Sequence, residues 1–308
     1  MKDRLVTLVG GGGFLGRYIA QELLAAGARV RVAQRDPRSA FFLRPLGGLG
    51  QTQFVAADVA RPDTVTRAIA GSDAVVNLVG TFTGDLQRIH VAGARAVAEA
   101  AAATGASALV HISALGADPG AASLYAQTKG AGEAAVRAAF PAATILRPST
   151  VFGREDQFVN RFAGMISMLP VVPVLRANTR FQPVFAGDVA AATVAALRDP
   201  EAHGGRTYEL GGPDVMTMLE LNQWIARTIN RKPPFVSLPD AAGALLAALP
   251  GGPVSRDQWK LLQQDTVVSS GAEGLAALGV TPTPLAAIAP SWLVRYRRNG
   301  RFAEPTAA

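Results

Sequence analysis

The chain has 308 residues, 49% of them hydrophobic and 17% charged, which suits a compact soluble fold with a full core and excludes intrinsic disorder. It has no cysteine, which excludes a disulfide framework, a thiolate metal site and a thiol nucleophile, and it fits a reducing compartment. A net charge of +7 suits anionic lipid or an acidic partner; no stretch resembles a nucleic-acid module, so no nucleic-acid partner is expected.

The chain begins with Lys2 and Arg4 and then only a short apolar run, so no signal peptide is expected. Leu5 to Val9 reads as a strand buried on both faces. It breaks into Gly10-Gly11-Gly12-Gly13-Phe14-Leu15-Gly16 and passes into a helix whose Leu15, Ile19, Leu23 and Leu24 recur at helical spacing and face the sheet. Gly27 closes that helix, and Arg29 to Gln34 reads as a second strand. In such a strand–turn–helix, Gly10 allows the sharp turn, Gly13 leaves bare backbone for a pyrophosphate and Gly16 allows close packing. The anion would sit at the helix N-terminus, where free N–H groups and the helix dipole favour negative charge.

Further elements follow at a regular pitch. Pro37 to Gly50 reads as helix and turn, Gln53 to Ala57 as a third strand, and Pro62 to Ala70 as a helix with proline in its first turn. Ala74 to Leu78 reads as a fourth strand, about Asp85 to Ala103 as a long Ala-rich helix and Ala108 to Ile112 as a fifth strand. Ser123 to Ala138 reads as a helix and Thr144 to Leu146 as the core of a sixth strand. Strands alternating with helices mean a parallel sheet with right-handed crossovers.

After Arg147-Pro148 prolines and glycines become frequent and the periodicity weakens. Gly187 to Leu197 reads as a helix and Arg206 to Leu210 as a strand, both packing back on the core. Thr217 to Ile229 and Arg256 to Gln264 read as further helices. The longest later apolar run, Ala241 to Leu249, ends at Pro250-Gly251-Gly252-Pro253, far below the ~20 residues of a membrane-spanning helix. The expected fold class is therefore α/β: a doubly wound parallel-sheet Rossmann domain over residues 1–150, with a smaller C-terminal lid region over 151–308.

Tyr125 and Lys129 form a YxxxK pair on one helix face. With the Gly10…Gly13…Gly16 spacing, this resembles the short-chain dehydrogenase/reductase superfamily in its extended and atypical branches, the NAD-dependent epimerase/dehydratase-like proteins. The resemblance implies that Tyr125 moves a proton at the reacting carbon, and that Lys129 lowers the Tyr125 pKa and binds the nicotinamide ribose. It places Asp58-Val59 against the adenine and makes Ser113, past the fifth strand, the catalytic hydroxyl. Extended members generally carry that hydroxyl a residue or two later, where this chain has Ala114 and Leu115; Ser113 alternatively supports the backbone.

Other implied cofactor contacts are Gly10, Gly13, Phe14, Leu15 and Gly16 in the loop, Leu78, Val79 and Gly80 after the fourth strand, Pro148, Tyr125 and Lys129. The second strand ends in Gln34-Arg35 where an acid would bind the ribose hydroxyl of NAD; Arg35 suits a 2′-phosphate, and Arg17 is a second phosphate ligand. The cofactor expected is NADP(H) rather than NAD(H), and no metal is expected. His90 stands where the superfamily has an asparagine, as a general base or as a structural hydrogen-bonding residue.

A narrower resemblance covers nearly the whole chain. It rests on Val79-Gly80, on His90-Val91-Ala92-Gly93 and on the run from Ile145 to Gly153. Phe158 to Phe162, Thr179 to Val184, Gly187 to Ala190 and Tyr208 to Pro213 extend it. These segments resemble the family of the NADPH-binding accessory subunit of respiratory complex I (alpha-subcomplex subunit nine). The resemblance implies tightly held NADPH with little or no turnover and complex I subunits as partners. The alternative is an active reductase, epimerase or dehydratase acting on a small-molecule substrate: quinone-like, isoprenoid or nucleotide-sugar. Arg295, Arg297, Arg298 and Arg301 alternate with Trp292, Tyr296 and Phe302, so anionic lipid contact through 292–302 is expected, with a cytoplasmic protein peripheral on the inner face of the membrane.

Overall fold

The computed structural model describes residues 1–249, 251–252 and 254–302; Pro250, Pro253 and the side chain of Arg301, each part of an expectation above, lie outside the described residues. The chain divides into two compact units. The first comprises Met1–Pro148, Ala186–Leu210 and Ser269–Thr281, and the second comprises Ser149–Phe185, Gly211–Val268 and Pro282–Ala308.

The first unit alternates strand and helix: β1 (Leu5–Val9), α1 (Phe14–Ala25), β2 (Arg29–Gln34), β3 (Thr52–Ala56), α2 (Pro62–Ile69), β4 (Ala74–Asn77), α3 (Gly93–Ala103), β5 (Ala108–Ile112), α4 (Leu124–Ala139) and β6 (Thr144–Pro148). With the strand Thr207–Leu210 they form one seven-stranded sheet, in the order Thr207–Leu210, β6, β5, β4, β1, β2, β3. Every pair is parallel. Its apolar strands are covered on both faces. Val75, Leu109 and Ile145 pack with Val65, Val97 and Val136 from α2, α3 and α4. On the other face α1 lies against the helix Ala186–Arg198. The chain order reverses between β1 and β4, which opens a crevice at the strand C-termini, the usual ligand position in such sheets.

Three local expectations need correction. In α1 the buried face is Gly16, Ile19, Ala20, Leu23 and Leu24, while Leu15 stays partly exposed. Residues 37–46 wind as a 3-10 helix, started by the Asp36 carboxylate accepting from Arg38 N. The expected long helix from Asp85 is interrupted: Gln87–Ala92 form a π-helical turn before α3 begins at Gly93. A Cβ at Gly93 would lie 2.9 Å from Val59, so glycine is what lets α3 start against the end of β3.

The second unit is built from two-stranded pieces and helices. Val151–Phe152 pairs with Val184–Phe185, and Val172–Leu175 with Phe235–Leu238, both parallel; Arg180–Phe181 pairs antiparallel with Met216–Thr217. Helices Val159–Met168 and Met218–Thr228 enclose a core containing Phe152, Ile166, Leu221, Ile225, Trp292 and Leu293. Thr217 and Ser255 begin their helices with capping boxes to Glu220 and Gln258.

Candidate functional site

Gly10 takes φ +83°, a left-handed conformation that glycine reaches without strain, and so turns the chain out of β1. Gly13 is the N-cap of α1, and no side chain caps that end. The glycines differ in what confines them. A Cβ at Gly16 would sit 2.2 Å from the carbonyl oxygen of Gly11, so helix and loop touch there. A Cβ at Gly13 would meet only Gly10 O, at 3.5 Å, so the protein itself leaves that space open. An uncapped N-terminus of a twelve-residue helix behind an open glycine is a cradle that a pyrophosphate fits. Phe14 and Leu15, half-buried, form its first turn.

The remaining expected nucleotide contacts fall at C-terminal strand ends. At β2, the Gln34 amide donates to Asp36 O and Ser39 Oγ, each at 2.7 Å. Arg35 is exposed and makes no hydrogen bond or ion pair among the described residues. Asp36, the carboxylate nearest the β2 end, has an oxygen committed to its capping bond, so it is a poor ribose ligand. Arg17 lies over the Phe42 ring, 4.2 Å from its centroid. After β3, Asp58 Oδ1 accepts from Ala60 N at 3.0 Å, and Val59 covers Gly93. After β4, Leu78 N donates to Val9 O and Val79 N to Asn77 Oδ1, leaving Gly80 exposed. Pro148 is buried at the end of β6, its carbonyl accepting from Leu115 N.

The second half of the site lies along α4. Tyr125, Lys129, Glu133 and Arg137 follow each other at four-residue spacing on one face. Lys129 is buried, and its ammonium donates to Ile112 O at 2.7 Å. Burial lowers its pKa to about 8, against the opposing pull of Glu133. Burial pushes the Tyr125 phenol up to about 12. Desolvation is the cause of that upward shift.

Two residues beside Tyr125 complete the arrangement. Phe82 stacks on its ring, with centroids 4.3 Å apart and planes 19° apart, and His90 meets it edge-on at 5.4 Å. His90 Nε2 accepts from Thr81 N at 3.1 Å, and Nδ1 lies 2.9 Å from Thr128 Oγ1, whose own proton has Leu124 O to go to. These bonds assign the neutral Nδ1–H tautomer, and burial lowers the His90 pKa to about 4. With both nitrogens engaged, His90 is the structural residue of the two alternatives.

Ser113 is buried and donates to Glu133 Oε1 at 2.5 Å. The same carboxylate receives Arg147 through Nε and a terminal nitrogen at 2.9 and 2.8 Å. The Ser113 proton is thus held by the Glu133–Arg147 pair, which ties β5 and β6 to α4; the backbone-supporting alternative is the one this geometry favours. Sequence reasoning did not single out Phe82 or Glu133. Glu133 carried a signal, one further helical turn beyond Lys129; Phe82, in an aperiodic loop, carried none.

Among the described residues no cluster of acids and histidines could hold a metal ion, and no helix is long and apolar enough to cross a membrane. The segment 292–302 departs from its expectation. Trp292 and Leu293 are in the core, Arg295 donates to Asn160 Oδ1, and Arg297 donates twice to Thr228 O. Arg298, by contrast, is exposed at the surface.

A family model described as the NAD dependent epimerase/dehydratase family matches residues 6–211. The chain is 34% identical, over 96% of its length and 79% of the relative's, to the NADH dehydrogenase (ubiquinone) 1 alpha subcomplex subunit 9 of Arabidopsis thaliana mitochondria. It is also 34% identical, over 79% of its length and 78% of the relative's, to a ceramide reductase of Caulobacter vibrioides. A triphenylmethane reductase of Citrobacter shares the fold, with a TM-score of 0.75, 19% identity and coverage of 94% of this chain and 99% of that one. The chain belongs to the NAD dependent epimerase/dehydratase family and, within it, to the family of the alpha subcomplex subunit 9 proteins.

Proposed function

We propose that this protein is an NADPH-retaining accessory subunit of a respiratory NADH–quinone oxidoreductase, with little or no turnover at Tyr125. The observation that carries the reading is the span of the likeness to the Arabidopsis subunit, 96% of the chain, which includes the irregular second unit as well as the nucleotide-binding one. The geometry supports it. The nucleotide cradle is open, while Tyr125 lies under Phe82 with its phenol desolvated and Ser113 is engaged by Glu133.

In this role the α1 N-terminus and the Gly10–Gly13 backbone hold the pyrophosphate. Arg35 and Arg17 supply cations for the 2′-phosphate, Asp58 an acceptor for the adenine amine, and Lys129 a donor for the ribose. NADPH bound there would supply a hydride. Calorimetric titration tests the cofactor assignment: Arg35→Asp should weaken NADPH more than NADH, because it removes one partner of the 2′-phosphate and adds repulsion, and equal losses would refute it. Co-purification with the respiratory complex tests the partner. Tyr125→Phe should leave both assembly and NADPH retention nearly intact, whereas Lys129→Ala should reduce retention.

A second reading, an active NADPH-dependent reductase of a lipid carbonyl, is favoured by the likeness to the ceramide reductase and by the intact Tyr125–Lys129 pair. Robust Tyr125-dependent oxidation of NADPH with a keto-lipid would establish it and overturn the first.

A further inference from the structure

Between β2 and β3 the first unit exposes large apolar side chains that the core does not explain. The 3-10 helix Pro37–Leu46 buries only Ala40 and Leu43. Phe42 and Leu46 are each 40% exposed, and Leu49, in the following Gly47-Gly48-Leu49-Gly50 loop, is fully exposed. Large apolar side chains left together in water, rimmed by charge, mark contact surfaces.

The charge around them has one sign. Arg35, Arg38 and Arg44 are all exposed, and the sole carboxylate between residues 29 and 50, Asp36, is engaged in capping the 3-10 helix. One of these cations, Arg44, is also held in place. Arg44 lies over the Phe41 ring at 3.6 Å and Arg17 over Phe42 at 4.2 Å, while Phe41 is braced edge-on against Phe54 of β3. A guanidinium held over an aromatic ring, as Arg44 is over Phe41, has lost part of its rotamer freedom and still offers N–H donors to a carboxylate. Arginine with aromatic residues around an apolar centre is the composition of interface hot spots.

We propose that Phe42, Leu46 and Leu49, with Arg38 and Arg44, form a docking surface for a protein partner that presents carboxylates around an apolar depression. The occupant is taken as protein because arginine with aromatic residues at an apolar centre is hot-spot composition; a phosphate-bearing lipid surface is the other outcome of the test. The partner's identity as a subunit of the respiratory complex rests on the function proposed above.

The test uses the full-length chain expressed in cells that contain the complex, which is purified through a tag on another of its subunits. Leu49→Asp and Arg44→Glu touch no residue of the nucleotide site. Each should lower the amount of this chain in the purified complex by tenfold or more, while calorimetric NADPH binding by the isolated protein stays unchanged. Retention of both variants at the wild-type level would overturn the proposal. So would variants that keep their place in the complex but no longer sediment with phosphatidylglycerol vesicles, an outcome that assigns the surface to lipid. If the wild type itself is absent from the complex, the functional reading fails, and the surface is judged by photo-crosslinking from p-benzoylphenylalanine at position 49. A crosslink to an acidic, apolar peptide, identified by mass spectrometry and lost in Arg44→Glu, supports the surface; no such crosslink overturns it.

Discussion

Gly13 and Gly16 stand three residues apart and answer to different constraints. A side chain at Gly16 would collide with the backbone of Gly11, so Gly16→Ala should cost ~1–3 kcal/mol as loop and helix move apart. At Gly13 the protein leaves room, so Gly13→Val should fold with near wild-type stability and yet lose dinucleotide binding, because its methyl groups fill the space for the pyrophosphate. Urea unfolding with calorimetry on both variants checks this; a Gly13→Val protein that binds NADPH normally would place the pyrophosphate elsewhere. Phe82 poses a different problem at the same scale. Its ring shields one face of Tyr125, and burial drives the phenol up to about 12. Phe82→Ala should admit water and let that phenol ionise closer to its ordinary value near ~10. Tyrosinate absorbance in Phe82→Ala, taken against Phe82→Ala/Tyr125→Phe, measures the change. An unaltered titration would mean that other groups desolvate the phenol.

Among the elements, the π-helical turn Gln87–Ala92 shows where sequence patterns lose resolution. Ala-rich helical spacing runs through it without a mark, since a π turn differs from an α turn by one residue of register. Its place follows from His90, whose two nitrogens bond Thr81 N on one side and Thr128 Oγ1 on the other. The parallel strands and their helices were legible because each is a buried apolar run or an amphipathic period. So were the glycine loop and the YxxxK pair. The stack of Phe82 on Tyr125 was not, nor the return of Ser269–Thr281 to the first unit, because both depend on loops without periodicity. The His90 bonds also carry a pH dependence. The folded protein keeps His90 neutral down to about 4, whereas the unfolded chain takes up a proton near the ordinary histidine value of about 6.5. The resulting stability is complete above about pH 6.5 and is lost as pH falls towards 4. Buried His111, also shifted well down by desolvation, acts in the same sense. Between pH 7 and 5 the wild type should therefore lose roughly 2 kcal/mol more than His90→Asn in urea unfolding. Equal losses would show that His90 titrates normally in the folded state.

On the scale of the whole molecule, the C-terminal segment decides how the basic character of the chain is to be read. Alternating arginines and aromatics over 292–302 look like a detachable membrane contact, yet most of the segment is structural. Trp292 is 6% exposed and Leu293 fully buried in the core of the second unit, and Arg295 and Arg297 hold Asn160 and the end of the helix Met218–Thr228. Basic residues are spent on internal carbonyls here, while those around Phe42 and Leu49 remain presented to solvent. A chain ending at Ser291 should consequently be destabilised, since loss of a buried tryptophan alone costs ~3–5 kcal/mol. Thermal unfolding should show the loss at neutral pH without any lipid present. Arg298→Glu, which alters an exposed residue, should leave stability unchanged and is the cleaner probe of lipid contact. If that variant and the wild type sediment equally with anionic vesicles, and the truncated chain unfolds at the wild-type temperature, the segment is neither a membrane contact nor a part of the core.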